Sequence, residues 1–280
     1  MTQTSQPDIK QIIEERYGAS ISTVEHTAEH KLLLSMLSRG SCREFSDKPV
    51  PPELLEILCA AALASPTKSD LQQRDIILLQ SADLRQQVSQ LVSGQPWVAG
   101  APMIVIFCGN NRRQRLLHHW HDVPFANDHL DAFFNAVGDA AIALGAFVTA
   151  TEALGLGCCP VSAIRNEARA VSSLLGLPRH VFPFAGLAVG YPRIAPKIAK
   201  RLPLRVTCHV DQYEENNLRD AIETYDDDRI RAQPYAKQRF PDKFGTASVY
   251  GWSDDKVRQY SEAERADFAD YIRAQGFRLD

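Results

Sequence analysis

The sequence predicts an α+β fold in which one long buried helix and several apolar strands share a core. Three observations predict it. Residues 131–160, DAFFNAVGDAAIALGAFVTATEALGLGCCP, hold an alanine- and leucine-rich run with no proline before Pro160, so one helix of about 24 residues and about 36 Å is expected. Short apolar runs at Ile76–Leu79, Met103–Cys108 and Phe182–Tyr191 have the length of strands rather than helices. No G-x-G-x-x-G stands between a strand and a helix, so a dinucleotide-binding Rossmann domain is not indicated, and there is no P-loop.

In the long helix, small or apolar residues cover nearly every side between Ala140 and Ala150, which predicts packing all round it. Asp131, Asp139 and Glu152 leave a charge-free run shorter than the roughly 20 residues a bilayer needs. A core helix is therefore expected rather than a membrane span. The hydrophobic content of 45% is that of a globular chain, and a net charge of -3 offers no basic field to nucleic acid or an anionic membrane. Residues 1–16 lack the apolar run of a secretory signal, so the expected compartment is the cytoplasm. The six cysteines show no C-x-x-C spacing and read as small buried hydrophobes rather than as a metal or redox centre.

In chain order, helices are expected at Pro7–Tyr17, closed by Gly18, and at Glu29–Ser38. The loop SRGSCREFSDKPV that follows sets Arg39, Ser41 and Arg43 at alternate positions. On extended backbone these three side chains point one way and can bind an anion through two guanidinium forks and a hydroxyl. Pro51 and Pro52 open a helix that stops before Pro66, and SPTKSDLQQ then gives a donor-rich loop between that helix and an apolar strand. A helix is expected over Ala82–Val92. Between Asn110 and Asp128 the pattern dissolves, and Trp120 and Phe125 there suit an aromatic lid better than His118, His119, His121 and Asp122 suit a metal. Residues 155–165, GLGCCPVSAIR, read as a glycine- and proline-bearing loop whose backbone amides face a ligand. A helix over Asn166–Leu175, a short strand over Val206–Val210 and a last helix over Ser261–Gln275 complete the reading. The tail beyond Asp226 has few core residues and reads as an arm.

These pieces, in this order, resemble the FMN-dependent nitroreductase family, and the tail segments YDDDRI, GWSDDKVRQYS and YIRAQGF resemble its larger, NADPH-preferring nitroreductase and flavin reductase subgroup. The matching motifs are R-x-S-x-R-x-F at Arg39–Phe45, SPTKSDLQQRDII, LGLGCCPVSAIR with GLAVGYP, and R-L-P at Arg201–Pro203. The resemblance implies a mainly antiparallel sheet flanked by helices, an intertwined homodimer, a flavin domain over residues 1–225 and a C-terminal extension over 226–280 that wraps the partner. It implies FMN as cofactor, its phosphate held by Arg39, Ser41 and Arg201. Arg43 would face the pyrimidine side, where two-electron reduction leaves negative charge. Gln72, with Ser65, Thr67 and Ser69, would bond the ring edge or ribityl chain, and the backbone of Pro160, Val161, Ser162 and Ala163 would meet the opposite edge. The sequence departs from the pattern at Asp70, Ser162 and Ala199. Lys197 or Lys200 is left to supply the charge missing at Ala199. Lys237 and Arg239 would receive the phosphates of NADPH. The implied activity is ping-pong hydride transfer from NADPH to a flat acceptor such as a nitroaromatic, quinone or flavin, with no protein acid or base required. Other FMN chemistry on the same fold, dehalogenation or flavin destruction, and a non-catalytic flavin-binding module are the alternatives.

Overall fold

In the computed structural model residues 9–19, 30–92 and 94–280 are described. The expected helix starts at Pro7 and Glu29 lie outside them. The chain runs α1 (Ile9–Tyr17), α2 (Lys31–Ser38), α3 (Pro52–Leu63), β1 (Arg74–Leu79), α4 (Ala82–Leu91), β2 (Met103–Asn110), α5 (Arg112–Trp120), α6 (Leu130–Ala153), β3 (Gly157–Val161), α7 (Ala168–Leu174) and β4 (Val181–Gly190). It continues through α8 (Leu204–Thr207), α9 (Leu218–Ala232), α10 (Pro241–Phe244), α11 (Trp252–Tyr260) and α12 (Phe268–Ala274). It divides into a helical unit, residues 1–40 and 197–264, and a sheet unit, residues 41–196 and 265–280.

The sheet unit holds one four-stranded sheet in the order β1-β2-β4-β3, antiparallel at every step. Its central strand β2 is buried at every position, and the two-residue period of a strand divides it between two cores. Met103, Val105 and Phe107 pack with α3 and α6. Ile104, Ile106 and Cys108 pack with Val88 of α4 and Val171 of α7 on the other face. The β2–β4 register slips between Phe107 and Cys108, which pair with Ala185 and Pro183. This bulge leaves Phe184 without a partner residue on β2, and its carbonyl accepts from Arg165 Nη1 at 2.6 Å. The C-terminal helix α12 adds Tyr271 and Ile272 to a third cluster with Ala136 of α6 and Phe182 of β4.

The length of α6, 24 residues, is as the sequence predicts, but its surroundings differ. Ala136, Ala140, Ala143 and Phe147 are wholly buried against the sheet and α3, whereas Phe134 is 68% and Ile142 44% exposed. One side of α6 is therefore open, because the sheet unit supplies neighbours on one side only. By length and composition this helix also passes as a membrane span; its three carboxylates do not exclude that. What marks it as a core helix is the packing of its alanine face.

Further sequence expectations are corrected, and the last helix, expected over Ser261–Gln275, spans only Phe268–Ala274. The loop over 155–165 contains a strand, β3, at the sheet edge. It was hidden because glycine and proline are poor strand formers, yet an edge strand tolerates Pro160. Glycine is required at 157, since a Cβ there would lie 2.6 Å from the Cβ of Cys42. The patternless segment after Asn110 is helical, as α5, held by tertiary bonds rather than by an apolar stripe: Arg113 pairs with Asp75 and Arg115 with Asp128, each at 2.5 Å. The strand expected over 206–210 is instead the one-turn helix α8, opened by Pro203. Of the cysteines, Cys208 is exposed and Cys59 half-buried, while the other four are buried.

The helical unit joins α1 and α2 to α8–α11. Residues 226–260 do have a core, and it is polar. Asp255, 2% exposed, accepts from Arg239 Nε at 3.1 Å, Tyr250 Oη at 3.2 Å and Lys256 Nζ at 2.6 Å. Burial opposes its ionisation, but the bonds from Lys256 and Arg239 outweigh it and hold the carboxyl below its usual pKa. A search for apolar residues overlooks such a core.

Candidate functional site

The donor-rich loop after α3 is rigid, and the reason is Asp139, a residue the sequence reading noted only as a charge. Its carboxylate, 1% exposed in the middle of α6, accepts the backbone amides of Lys68 at 2.9 Å and Gln73 at 2.8 Å. One side chain thus closes the loop at both ends. From the α5 side, Arg113 donates to the Gln72 carbonyl at 2.7 Å and Gln114 to that of Leu71 at 2.6 Å. Arg74 donates to the carbonyls of Leu63 and Ser65. Within this frame Ser69, Asp70 and Gln72 take left-handed backbone, with φ of 49°, 56° and 51°, a strain that side chains accept only where surrounding bonds impose it. Ser69 and Gln72 are exposed; Ser65 and Thr67 are half-buried. A charge placed alone inside an apolar helical run was the available sequence signal for Asp139.

Facing this loop is a cavity of about 340 Å³ lined by Lys68, Ser69, Gln73, Gln114, His118 and Phe125. The expected aromatic segment therefore does meet the polar loop, through Phe125. His118 lies edge-on to Phe125 at 5.1 Å, its Nδ1 3.2 and 3.1 Å from the carbonyls of Val123 and Pro124. Trp120 is 67% exposed and does not line the cavity. No group of three or more potential metal ligands occurs among the described residues.

Elsewhere in the sheet unit, residues 41–46 run beside the sheet. Cys42 N donates to Cys158 O at 3.0 Å, and Ser46 N to Tyr191 O at 2.8 Å. Cys42 faces the core, so Ser41 and Arg43 on either side of it are exposed, and the Arg43 guanidinium stands 5.7 Å over the Trp97 ring. Past β3, a 3-10 turn over Ser162–Arg165 presents Ser162 to solvent with Ala163 half-buried. Pro160 lacks an N–H, so amide donors in this stretch come from the residues after it.

The helical unit holds the remaining basic residues. Arg201 is exposed, and among the described residues its guanidinium bonds only the carbonyls of Ala199 and Lys200, at 3.4 and 3.3 Å. Arg39, half-buried, follows the last turn of α2. A cleft of about 540 Å³ is lined by Lys200, Arg201, Arg229 and Lys256 together with Tyr225, Tyr235 and Trp252. Lys237 is exposed, as is Arg239, whose Nε is the one that bonds Asp255.

The sheet unit thus has an ordered polar loop beside a largely polar cavity with Phe125 in its wall, and the helical unit has a cluster of cations beside aromatic rings. Comparison with known proteins gives the class. The nitroreductase family model matches residues 36–191, and the model of that family's C-terminal domain matches residues 200–280. The chain belongs to the nitroreductase family. It is 29% identical over 254 residues to an FMN reductase [NAD(P)H] of Bacillus subtilis, covering 90% of this chain and 99% of that protein. It is 32% identical over 238 residues to an oxygen-insensitive NADPH nitroreductase of Salmonella typhimurium, covering 85% and 94%. Among solved structures, NfrA2 of B. megaterium superposes with a TM-score of 0.81 at 27% identity, covering 90% of this chain and 99% of that one.

Proposed function

We propose that the protein is an FMN-dependent NAD(P)H oxidoreductase that reduces flat electrophilic acceptors, nitroaromatics, quinones or flavins. It works in the cytoplasm with NADPH as donor. The observation that carries this reading is the cavity of about 340 Å³ between the polar loop and Phe125, in a chain that aligns with named FMN and nitro reductases over nearly their whole length. The cavity's lining is mostly polar, and the rings of Phe125 and His118 are what it offers a planar acceptor for stacking.

The residues fit FMN. The Arg201 guanidinium, which meets only neighbouring carbonyls among the described residues, suits a phosphate dianion, with Arg39, Ser41 and Lys200 as its companions. Ser65, Thr67, Ser69 and Gln72 sit on a loop that Asp139 has already ordered, so binding a ring edge there costs little further conformational entropy. Arg43 supplies positive charge toward the pyrimidine side, and Val161, Ser162 and Ala163, with the Pro160 carbonyl, supply backbone groups at the other edge. When bound, FMN supplies two-electron exchange between NADPH and acceptor in a ping-pong cycle. Residues 226–280 act as an extension whose Lys237 and Arg239 take the NADPH phosphates. The open side of α6, with Phe134, Ala141, Ile142 and Gly145 exposed, supports a homodimer formed through this helix.

Steady-state kinetics test the reading. Varying NADPH at several fixed concentrations of a quinone gives parallel double-reciprocal lines if the two substrates use one site in turn. Intersecting lines, or no turnover with any quinone, nitroaromatic or flavin, would contradict it.

A further inference from the structure

The helix α1 lies before the family match, which begins at residue 36, yet its last turn reaches into the basic cluster of the helical unit. Arg16 is 4% exposed. Its guanidinium donates Nε to Leu37 O at 2.7 Å, Nη2 to Arg39 O at 2.5 Å and Nη1 to Ala199 O at 3.3 Å. In return its own carbonyl accepts from Arg201 N at 2.7 Å. One residue therefore joins the backbone of Arg39 to the backbone of Arg201, two segments separated by some 160 residues in the chain. On its far side the 198–201 segment is held by α9, where Gln233 Nε2 donates to Ile198 O at 2.6 Å and Tyr225 Oη to Lys200 O at 3.2 Å.

The arrangement places a buried guanidinium beside two others. A buried guanidinium bonded to carbonyls keeps its charge, and no carboxylate bonds it among the described residues. Burial is the main cause that lowers the pKa of Arg16, and the nearby charges of Arg201 and Arg39 lower it further. Against this, the nearby Tyr17 and Glu15 raise it, and an anion entering between Arg39 and Arg201 meets the added positive field of Arg16.

We propose that Arg16 is a positioning residue for the flavin's phosphate: by bonding the backbone at 37, 39 and 199–201 it fixes the separation of Arg39 and Arg201, and its charge adds to the field that a dianion enters. The inference rests on the assignment of Arg39 and Arg201 to the FMN phosphate. It makes preference for FMN over riboflavin a property of α1, because riboflavin has the same ring and ribityl chain but no phosphate.

The test compares FMN and riboflavin binding to the full-length protein stripped of flavin, by quenching of flavin fluorescence, for wild type, Arg16→Met and Arg16→Lys. Arg16→Met should weaken FMN about 10–100-fold, the range known for removing residues that orient the ligands of a metal, and riboflavin less than about threefold. Arg16→Lys, which keeps the charge but cannot span three carbonyls, should fall between, and it decides the matter alone if Arg16→Met does not fold. Equal losses for the two flavins, or unchanged FMN binding, overturn the proposal. A wild type that binds riboflavin as tightly as FMN overturns instead the assignment of Arg39 and Arg201 on which it depends.

Discussion

Asp139 shows how a single buried charge organises a site it does not line. The carboxylate was visible in the sequence only as an interruption of an apolar helix; its two amide partners, 71 and 66 residues away in the chain, were not, because nothing local encodes a contact at that separation. Asp139→Ala leaves both amides without their acceptor and should cost about 2–5 kcal/mol in urea unfolding, with a parallel loss of FMN affinity as the loop loosens. A cost below about 1 kcal/mol would show that α5 alone holds the loop. The converse holds for Arg39, Ser41 and Arg43, whose alternation was readable because it is local. Arg16 escaped notice for the same reason as Asp139: its contacts are to backbone carbonyls, which any sequence provides. At Ala199, where the family pattern has a lysine, the side chain carries no charge and the backbone carbonyl accepts from Arg16 Nη1; Lys197 or Lys200 remains the proposed source of the missing charge. His180 makes a separate prediction about pH. Burial, then Arg115 and Arg179, push its pKa down to about 4, against the opposing influence of the Gly276 carbonyl and Asp128. The folded value lies below the unfolded value near 6.5, so the stability due to the neutral ring is complete above about pH 6.5 and is lost as pH falls toward about 4. The wild-type melting temperature should therefore fall across this window more steeply than that of His180→Asn, a side chain that tolerates the φ of 65° at this position. Equal slopes would assign the acid sensitivity to another group.

Among the elements, α6 was the most legible, since length and composition predict a long helix without any knowledge of its partners. Its open side was not legible: apolar residues on all faces predict partners all round, but not whether those partners belong to the same chain. Ile142→Lys puts a charge in the middle of the open side while leaving the buried alanine face intact. It should convert a dimer to monomers in sedimentation velocity without lowering the monomer's helix content. A wild type that sediments as a monomer would remove α6 as a dimer surface. The strand β3 and the helix α5 mark the limit of local reasoning, each depending on a neighbour. Gly157 answers to the side chain of Cys42, and the polar run of α5 is held by Asp75 and Asp128. Tertiary context overrides propensity at both.

At the scale of the whole molecule, the sequence carried the family through four motifs in order, and the two family models together span all but residues 1–35 and 192–199. The tail was read as an arm lacking core residues, yet residues 226–260 have an ionic core centred on Asp255 and the last helix adds Tyr271 and Ile272 to an apolar cluster. The residues proposed for the flavin are scattered over several short loops of the sequence, which is why no single segment announces a site. The central claim is that this chain carries FMN and cycles it between NADPH and an acceptor. The most direct test is the visible spectrum of the purified, FMN-reconstituted protein, recorded without oxygen before and after one equivalent of NADPH, and again after adding a quinone. The flavin bands should bleach on NADPH and return with the quinone. Bands that NADPH leaves unchanged, or a protein that retains no FMN, would contradict the account.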